Sequence, residues 1–219
     1  MDLVRSVLLD LDGTLVDSRP GIVASCSAAL RGLGHDPGEA LDIAIGPPLE
    51  DILRTLLQTY GDDRIDEAVV AYRQHYGQSG LLASEPYSGI RGALEAMQGA
   101  GLRIYLATSK REVFARRILE NLKLATYFDG IHGSVPGGTL DHKSELLAYI
   151  LSEQDVSASH SLMVGDRQHD IVGARAVGMR SLGVLWGYGG RHELETAGAD
   201  QLVERPADLA HVALSMLSG

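Results

Sequence analysis

Short apolar runs that alternate with helical patterns are the feature that most restricts the fold of this chain. The runs are largely apolar at consecutive positions, not at every second one, which is typical of strands in a parallel sheet covered on both faces. Four of them span Val4–Leu11, Leu102–Ala107, Leu162–Val164 and Met179–Leu185, and a weaker candidate spans Gly130–Gly133. Strands joined by helices in this way predict an α/β fold with a doubly wound parallel sheet and right-handed crossovers.

The segment from Ser18 to Ala83 interrupts this alternation, because it contains helical stripes and no strand-like run. Turn-like sequences flank it at residues 17–21 and 84–89. We therefore expect a helical domain of residues 18–83, inserted after the first strand into a core domain of residues 1–17 and 84–219. Its Gly46-Pro47-Pro48 turn is either a substrate-facing loop or an ordinary turn between helices.

Composition narrows the class of protein further. The net charge of −10 comes with no basic stripe, which argues against a nucleic-acid partner. No run of about 18 apolar residues and no basic, apolar leader is present, so we expect a cytoplasmic protein without a membrane partner. The single cysteine, Cys26, excludes an intrachain disulfide, and its place on an apolar helix face predicts a core residue. Monomer and homodimer are both open.

Two carboxylates, Asp10 and Asp12, end the first apolar run, and Gly13 follows them. Residues i and i+2 of a strand point to the same side, so both carboxylates are expected to face one pocket. One would attack phosphorus and the other would move the proton in a magnesium-assisted phosphoryl transfer. Gly13 allows a sharp turn and a close approach to a ligand. The alternative is a strand followed by an ordinary Asp-Gly turn.

Polar residues also follow two other predicted strands. Thr108 and Ser109 come directly after the second apolar run, where they would either bind phosphoryl oxygens at a helix N-terminus or cap that helix. Asp166 follows the third run, and Asp170 lies four residues later. Ligands bind beyond the carboxyl ends of the strands in an open parallel sheet, so these side chains are expected to meet Asp10 there.

The acidic pocket predicted in this way calls for cations. Asp10, Asp12 and Asp166, with Asp170 beside them, supply the carboxylates that Mg²⁺ prefers, although Asp170 alone could be a helix N-terminal charge. Lys143 stands in the first turn of a predicted helix, where a cation is mildly unfavourable, which indicates a functional position that would neutralise a phosphorylated aspartate. A solvated surface lysine is the alternative.

Four segments together resemble the motifs of the haloacid dehalogenase (HAD) superfamily in order and in spacing. They are Asp10-Leu11-Asp12-Gly13-Thr14, Thr108, Lys143 and Gly165-Asp166-Arg167-Gln168-His169-Asp170. The resemblance covers essentially the whole chain and implies a Rossmann-like core with a type-one helical cap inserted after the first strand. The branch that it most resembles contains phosphoglycolate phosphatases and related small-metabolite phosphatases, including 5′-nucleotidases.

The resemblance also implies a role for each residue. Asp10 would be the nucleophile that forms an aspartyl-phosphate, and Asp12 the general acid and then the general base. Mg²⁺ would be held by Asp10, Asp166, the Asp12 carbonyl and Asp170, the last either directly or through another ligand. Thr108, Ser109, Lys143 and Gly13 would contact the phosphoryl group. Ser109 and Arg167 stand where many relatives have Asn and Ser, which weakens an assignment to phosphoglycolate.

The function expected from these observations is a Mg²⁺-dependent phosphomonoesterase for a small metabolite, with phosphoglycolate or a nucleoside 5′-monophosphate as substrate. A phosphosugar mutase is the alternative from another enzyme class; such mutases often have an acidic residue where this chain has Gly165. A dehalogenase would leave Asp12 and Asp166 without a purpose. A non-enzymatic binding protein would not need every catalytic position filled.

The glycine-rich loop 186–190 is expected to border the site.

Overall fold

The computed structural model describes residues 4–38, 41, 43, 45, 47–137 and 140–218. The chain divides into two compact units, one formed by Ser18–Glu85 and the other by the residues up to Asp17 together with those from Pro86 onward. Within the second unit the amide of Tyr87 donates to the carbonyl of Leu15 (3.1 Å), so the chain leaves this unit and returns to it at neighbouring points. Gly46 of the proline-rich turn lies outside the described residues.

The strands and helices of the described residues have the following bounds. The strands are β1 (Ser6–Leu9), β2 (Val16–Asp17), β3 (Glu85–Pro86), β4 (Arg103–Arg111), β5 (Gly130–Ser134), β6 (Ser161–Gly165), β7 (Arg180–Val184) and β8 (Gln201–Val203). The helices are α1 (Arg19–Gly32), α2 (Leu49–Gln58), α3 (Ile65–Gln78), α4 (Ile90–Gly99), α5 (Glu112–Asn121), α6 (Lys143–Glu153), α7 (Gln168–Ala176), α8 (Arg191–Ala197) and α9 (Leu209–Ser218).

Among the described residues the main sheet has six strands in the order β5-β4-β1-β6-β7-β8, and neighbouring strands are parallel throughout. The predicted doubly wound, Rossmann-like fold is therefore confirmed. After β1 the chain adds β4 and β5 on one side and then β6, β7 and β8 on the other. The winding reverses beside β1, and the crevice beyond the carboxyl ends of β1, β4 and β6 is the place where such sheets bind ligands.

The strand bounds differ from the sequence-based expectation in three ways. β1 ends at Leu9, so Asp10 and Asp12 lie in the turn beyond the strand and not within it. β4 continues to Arg111, so Thr108 and Ser109 are strand residues and do not begin a helix. The edge strand β8 has only three residues, too few for an apolar run to reveal it in the sequence.

Burial on both faces explains the apolar strands. β1 and β6 are buried along their whole length, and α6 covers the sheet through Leu146, Leu147 and Ile150, which pack against Leu8 and Met163. Side chains of this size contribute about 1.5–3 kcal/mol each when fully buried. None of the helices in the described part of the chain has both the length and the apolar character needed to cross a membrane.

In the described part of the unit Ser18–Glu85, the regular elements are helices, apart from Glu85 at the start of β3. Helix α1 packs against α3, and α2 packs against α3 as well. Cys26 is fully buried in α1, as predicted, and burial raises the pKa of its thiol to about 12, which keeps it protonated and unreactive. Tyr60 lies beyond the end of α2 and is exposed.

Candidate active site

The turn after β1 presents Asp10 and Asp12 at the carboxyl end of the sheet. The amide of Asp10 donates to the carbonyl of Val164 on β6 (2.9 Å), which continues the sheet pairing to the first carboxylate. Gly13 has a φ of +87°, a conformation that L side chains rarely adopt. A Cβ at this position would also overlap the carboxylate of Asp166. Glycine is therefore required both by the turn and by the close approach of the two segments.

Lys143 is the central cation of the site. It is the first residue of α6, and its side chain is only 4% exposed. Its Nζ lies 2.8 Å from Oδ1 of Asp10 and 2.8 Å from Oδ1 of Asp170, and it donates to the carbonyl of Ala107 at 2.8 Å. A buried ammonium with three acceptors has all its donors satisfied, so a solvated surface position is ruled out.

Gly173 of α7 makes room for this lysine. A Cβ at position 173 would lie 2.8 Å from Cγ and 3.0 Å from Cβ of Lys143, closer than side-chain carbons approach. The lysine stem therefore runs against the bare backbone of α7. A glycine inside a helix lowers the stability of the folded protein by about 0.5–1 kcal/mol relative to alanine. At position 173 that loss of stability is the consequence of leaving space for the Lys143 side chain.

Asp166 is the most enclosed carboxylate of the group, with no exposed surface. Its Oδ2 accepts the amide of Tyr188 (2.7 Å), and its Oδ1 lies 3.4 Å from the hydroxyl of Thr14. Asp170 lies at the start of α7, where its Oδ2 accepts the amide of Arg167 (3.1 Å) as part of a capping box. Asp170 thus caps its own helix with one carboxylate oxygen and forms an ion pair with Lys143 through the other.

Asp10, Asp166 and Asp170 form a buried acidic cluster. Each offers a carboxylate oxygen, and these three atoms lie within 4.8 Å of one another. Burial raises the pKa of Asp10 to about 7, with Lys143 opposing and Asp170 adding to the rise. Burial, followed by repulsion from Asp10 and Asp170, raises the pKa of Asp166 to about 8. One lysine cannot neutralise three carboxylates, so the cluster fits a divalent cation with oxygen ligands.

The charge on Lys143 follows from the same contacts. Burial by itself would lower the pKa of the ammonium, but Asp10 and Asp170 raise it well above its ordinary value. Lys143 is therefore a permanent positive charge beside Asp10 over the whole physiological pH range.

The end of β4 holds one expected residue at the site and adds one that sequence reasoning missed. Thr108 is buried, whereas the side chain of Ser109 is exposed. Lys110 forms an ion pair with Asp12, its Nζ 2.9 Å from Oδ2, and was not assigned a role from the sequence. The register of β4 shifts between Thr108 and Arg111, so the regular alternation of side chains along a strand does not place Lys110, and no local pattern singled it out.

The glycine-rich loop after β7 borders the site, as expected. The indole of Trp186 donates to the carbonyl of Thr14 (2.9 Å), and the hydroxyl of Tyr188 donates to Asp17 (2.9 Å). Gly187 and Gly189 face Asp166 so closely that a Cβ at either position would overlap its atoms. The loop therefore encloses Asp166 through main-chain contacts, and its two aromatic side chains hold the segment that follows Asp12.

Comparisons with known proteins agree with this geometry. A family model described as haloacid dehalogenase-like hydrolase matches residues 7–184. The chain is 43% identical over 209 residues to a 5′-nucleotidase from Pseudomonas aeruginosa, with 94% of this chain and 92% of the relative covered. It is 31% identical over 196 residues to a phosphoglycolate phosphatase from Neisseria gonorrhoeae, with 85% and 82% covered.

Two further similarities concern a kinase and a solved structure. The chain is 39% identical over 186 residues to tyrosine-protein kinase PtkA from Mycobacterium tuberculosis, covering 84% of this chain and 62% of the kinase. The crystal structure of a predicted phosphatase from Clostridium acetobutylicum has a TM-score of 0.88 at 34% identity, with 98% of this chain and all of that one covered.

Proposed function

The chain belongs to the haloacid dehalogenase-like hydrolase family and is a phosphatase, and we propose that it hydrolyses small phosphomonoesters with Asp10 as the nucleophile. The observation that carries the proposal is the buried Asp10 carboxylate, held 2.8 Å from Lys143 beside the carboxylates of Asp166 and Asp170. A carboxylate in that setting can attack phosphorus only if cations offset the charge of the incoming phosphoryl group. The helical unit of residues 18–85 is, in this proposal, the cap domain.

The chemistry divides into two displacements at phosphorus. In the first, an oxygen of Asp10 bonds to phosphorus, the ester bond breaks, and Asp12 gives its proton to the leaving alcohol oxygen. In the second, water attacks phosphorus, Asp12 takes a proton from that water, and the bond between phosphorus and Asp10 breaks. Inorganic phosphate leaves, and both aspartates return to their starting protonation states.

Charge neutralisation is assigned to residues around the nucleophile. Lys143 would stabilise the negative charge on the phosphoryl oxygens, and Thr108 would donate its hydroxyl to one of them. Asp170 would keep Lys143 in place through the 2.8 Å contact. The amide of Gly13 already donates to the carbonyl of Val16 (2.9 Å), so we assign Gly13 to the close packing of the turn and not to a phosphoryl contact. The exposed Ser109 has no assigned contact.

Mg²⁺ is the cofactor that suits this donor set. Asp10, Asp166 and the main-chain carbonyl of Asp12 would hold it, with Asp170 as a further ligand or as the anchor of Lys143. When bound, it supplies positive charge that polarises a phosphoryl oxygen and shields Asp10 from repulsion.

Phosphate release from a panel of phosphomonoesters tests the proposal. Nucleoside 5′-monophosphates come first, because the relative with 43% identity is named 5′-nucleotidase, and phosphoglycolate comes second. We expect Mg²⁺-dependent turnover with a clear preference within the panel and no turnover in excess chelator. Absence of release from every compound, in protein shown to be folded, would contradict the proposal.

A second candidate function follows from the similarity to PtkA, which is named a tyrosine-protein kinase. Transfer from ATP to a tyrosine needs the aspartyl-phosphate to survive until an acceptor arrives, whereas Asp12 beside Asp10 favours attack by water. Incubation with γ-labelled ATP and a tyrosine-containing protein separates the two activities. Label on protein tyrosine at a rate above that of phosphate release would favour the kinase.

The position before Asp166 separates the phosphatase from a mutase. A Cβ at Gly165 would overlap the carboxyl group of Asp170, which is buried and held at both oxygens. We expect Gly165→Ala to lower the free energy of unfolding by about 1–3 kcal/mol and to reduce activity at least ~10-fold, because Asp170 and then Lys143 must move. Thermal unfolding and steady-state assays measure both effects.

Gly92→Ala is the matched control for this change. Gly92 lies in α4, and a Cβ there would meet nothing within 4 Å, so alanine should leave activity unchanged and slightly raise stability. A Gly165→Ala variant as stable and active as the wild type would show that the site has room for a Cβ at this position, which an acidic side chain also requires.

The stability of the metal-free protein should depend on pH. The folded-state pKa values of Asp10 and Asp166, about 7 and about 8, lie above the ~3.9 of an unfolded aspartate. The folded state therefore binds more protons between these values, and its free energy of unfolding falls as the pH rises from about 4 to about 8. We expect the midpoint of thermal unfolding to fall by on the order of 10 °C between pH 5 and pH 8 without metal.

Saturating Mg²⁺ should remove most of that decline, since it binds the ionised carboxylates of the folded state. The Mg²⁺-induced rise in the midpoint should accordingly be larger at pH 8 than at pH 5. Asp166→Asn, which removes one of the two titrations, should reduce both the decline and the Mg²⁺ effect. Identical pH dependence with and without Mg²⁺ would contradict the assignment of the cluster as the metal site.

A further inference from the structure

The use of lysine in this chain points to a second functional cation. The sequence contains sixteen arginines and only three lysines, at positions 110, 123 and 143. Lys123 is exposed, whereas Lys143 and Lys110 are paired with Asp10 and Asp12. A compact ammonium is therefore found at both aspartates of the first motif, in a chain whose other Lys and Arg side chains are, apart from Lys123, all guanidinium groups. The two groups differ in shape and in hydrogen-bonding geometry, so this distribution indicates a specific requirement.

The backbone around Lys110 is built to place it. In the pairing of β4 with β5, Thr108 is opposite Gly133 and Arg111 is opposite Ser134, so residues 109 and 110 bulge out of register. A Cβ on Gly133 would lie 2.5 Å from the carbonyl oxygen of Lys110 and 2.8 Å from the amide of Glu112. Only glycine leaves space for the bulge at this point. The hydroxyl of Thr108 accepts the amide of Lys110 (3.2 Å), which fixes the bulge from the other end.

The ion pair that results is largely shielded from water. The side chain of Lys110 is 9% exposed and that of Asp12 is 18% exposed, with Nζ 2.9 Å from Oδ2. The second oxygen of Asp12, Oδ1, is buried and has no hydrogen-bond partner among the residues that the structure describes. A buried carboxylate oxygen without a partner is unfavourable unless a ligand supplies the missing donor. The two oxygens of Asp12 are thus in different environments.

We propose that Lys110 is a positioning residue for the reaction, which holds Oδ2 of Asp12 and thereby assigns proton transfer to Oδ1. This inference rests on the proposed function, in which Asp12 is the acid and then the base. Oδ1 gives its proton to the leaving alcohol oxygen as the ester bond to phosphorus breaks. Oδ1 then takes a proton from the attacking water as the bond between phosphorus and Asp10 breaks. Oδ2 stays with Lys110 in both steps, so the carboxylate does not rotate between them.

Lys110→Met tests this proposal through the leaving group. Protonation matters for an alkyl leaving group and much less for 4-nitrophenolate, which leaves without assistance. For the preferred nucleoside monophosphate or phosphoglycolate, we expect kcat to fall about 10- to 100-fold with KM within about twofold, because general acid catalysis is worth about 10²–10⁴-fold. The single-turnover release of 4-nitrophenol from its phosphate should fall less than about threefold.

A double-mutant cycle with Asp12→Asn supplies a readout that a structural role would not affect. When Asp12 has no proton to give, adding Lys110→Met should cause no further loss of alcohol release from the alkyl substrate. Multiplying losses would overturn the proposal. So would a raised KM with unchanged kcat, which would show that Lys110 contacts the substrate.

Two further variants keep the test decisive. Lys123→Met makes the same change at the exposed third lysine and should leave the rates with both substrates unchanged. Lys110→Gln retains a hydrogen-bond donor on a shorter side chain. It replaces Lys110→Met if the Met variant shows no cooperative thermal unfolding, that is, if it is not folded. Wild-type protein that releases no phosphate from any substrate would count against the proposed function itself, whereas active wild type with an additive cycle would count against Lys110 alone.

Discussion

Replacing Asp10 with asparagine is expected to reduce phosphate release to background, a loss of at least ~10³-fold, because the amide cannot form the bond to phosphorus. The variant should remain folded. Asn has the shape of the protonated aspartate, and burial already favours the neutral form of this carboxyl, whose pKa is raised to about 7. Steady-state phosphate release and thermal unfolding, both with Mg²⁺, measure the two effects. Acid-quenched wild-type protein should carry labelled phosphate that is absent from Asp10→Asn.

Asp63→Asn is the control for this change, since Asp63 is an exposed aspartate of the helical unit and should tolerate the amide without loss of activity. Full activity in folded Asp10→Asn would exclude Asp10 as the nucleophile. Loss of activity with label still bound at another residue would move the covalent step elsewhere.

Removing the charge of Lys143 should damage both stability and activity. Lys143→Met leaves the carboxylates of Asp10 and Asp170 buried without their shared cation, and breaking a buried pair by removing one partner costs about 3–5 kcal/mol. Activity should fall at least ~10²-fold, since the ammonium faces the phosphoryl group in the proposed mechanism. Denaturant unfolding at pH 8 without Mg²⁺ measures the first effect, and phosphate release measures the second.

A second substitution separates the two consequences. Lys143→Met combined with Asp170→Asn removes one of the unpaired charges, so it should recover part of the lost stability and none of the lost activity. The stability loss of the single variant should also be smaller at pH 5, where Asp10 can be protonated. A Lys143→Met protein that matches the wild type in both measurements would show that the ion pairs contribute nothing.

Much of the fold could be predicted from local patterns. Parallel strands covered on both faces must be apolar along their length, and the helices between them must carry one apolar face. The strands β1, β4, β6 and β7 could therefore be predicted from apolar runs in the sequence. The short edge strand β8 was not visible, because its three residues bury too little surface to leave a pattern. The limits of β1 and β4 were also missed, since a strand ends where its pairing ends and not where its apolar residues end.

The residues of the candidate site could be predicted where a single rule about strands or helices was enough to identify them. Carboxyl ends of parallel strands share one edge of the sheet, which brought Asp10 and Asp166 into the prediction together. The misplaced cation in the first turn of α6 singled out Lys143. Lys110 had no such signal, because its position depends on a bulge that Gly133, more than twenty residues away, makes possible.

The sequence by itself determined which chemical groups lie at the candidate site and which edge of the sheet carries them, because side-chain type and strand periodicity are local properties. Only the tertiary structure decided how those groups are paired. Lys143 joins Asp10 to Asp170, Lys110 holds one oxygen of Asp12, and Gly173 and Gly133 make room for the two lysines. Ion pairing and close packing depend on distances between segments far apart in the chain, and no local pattern records those distances.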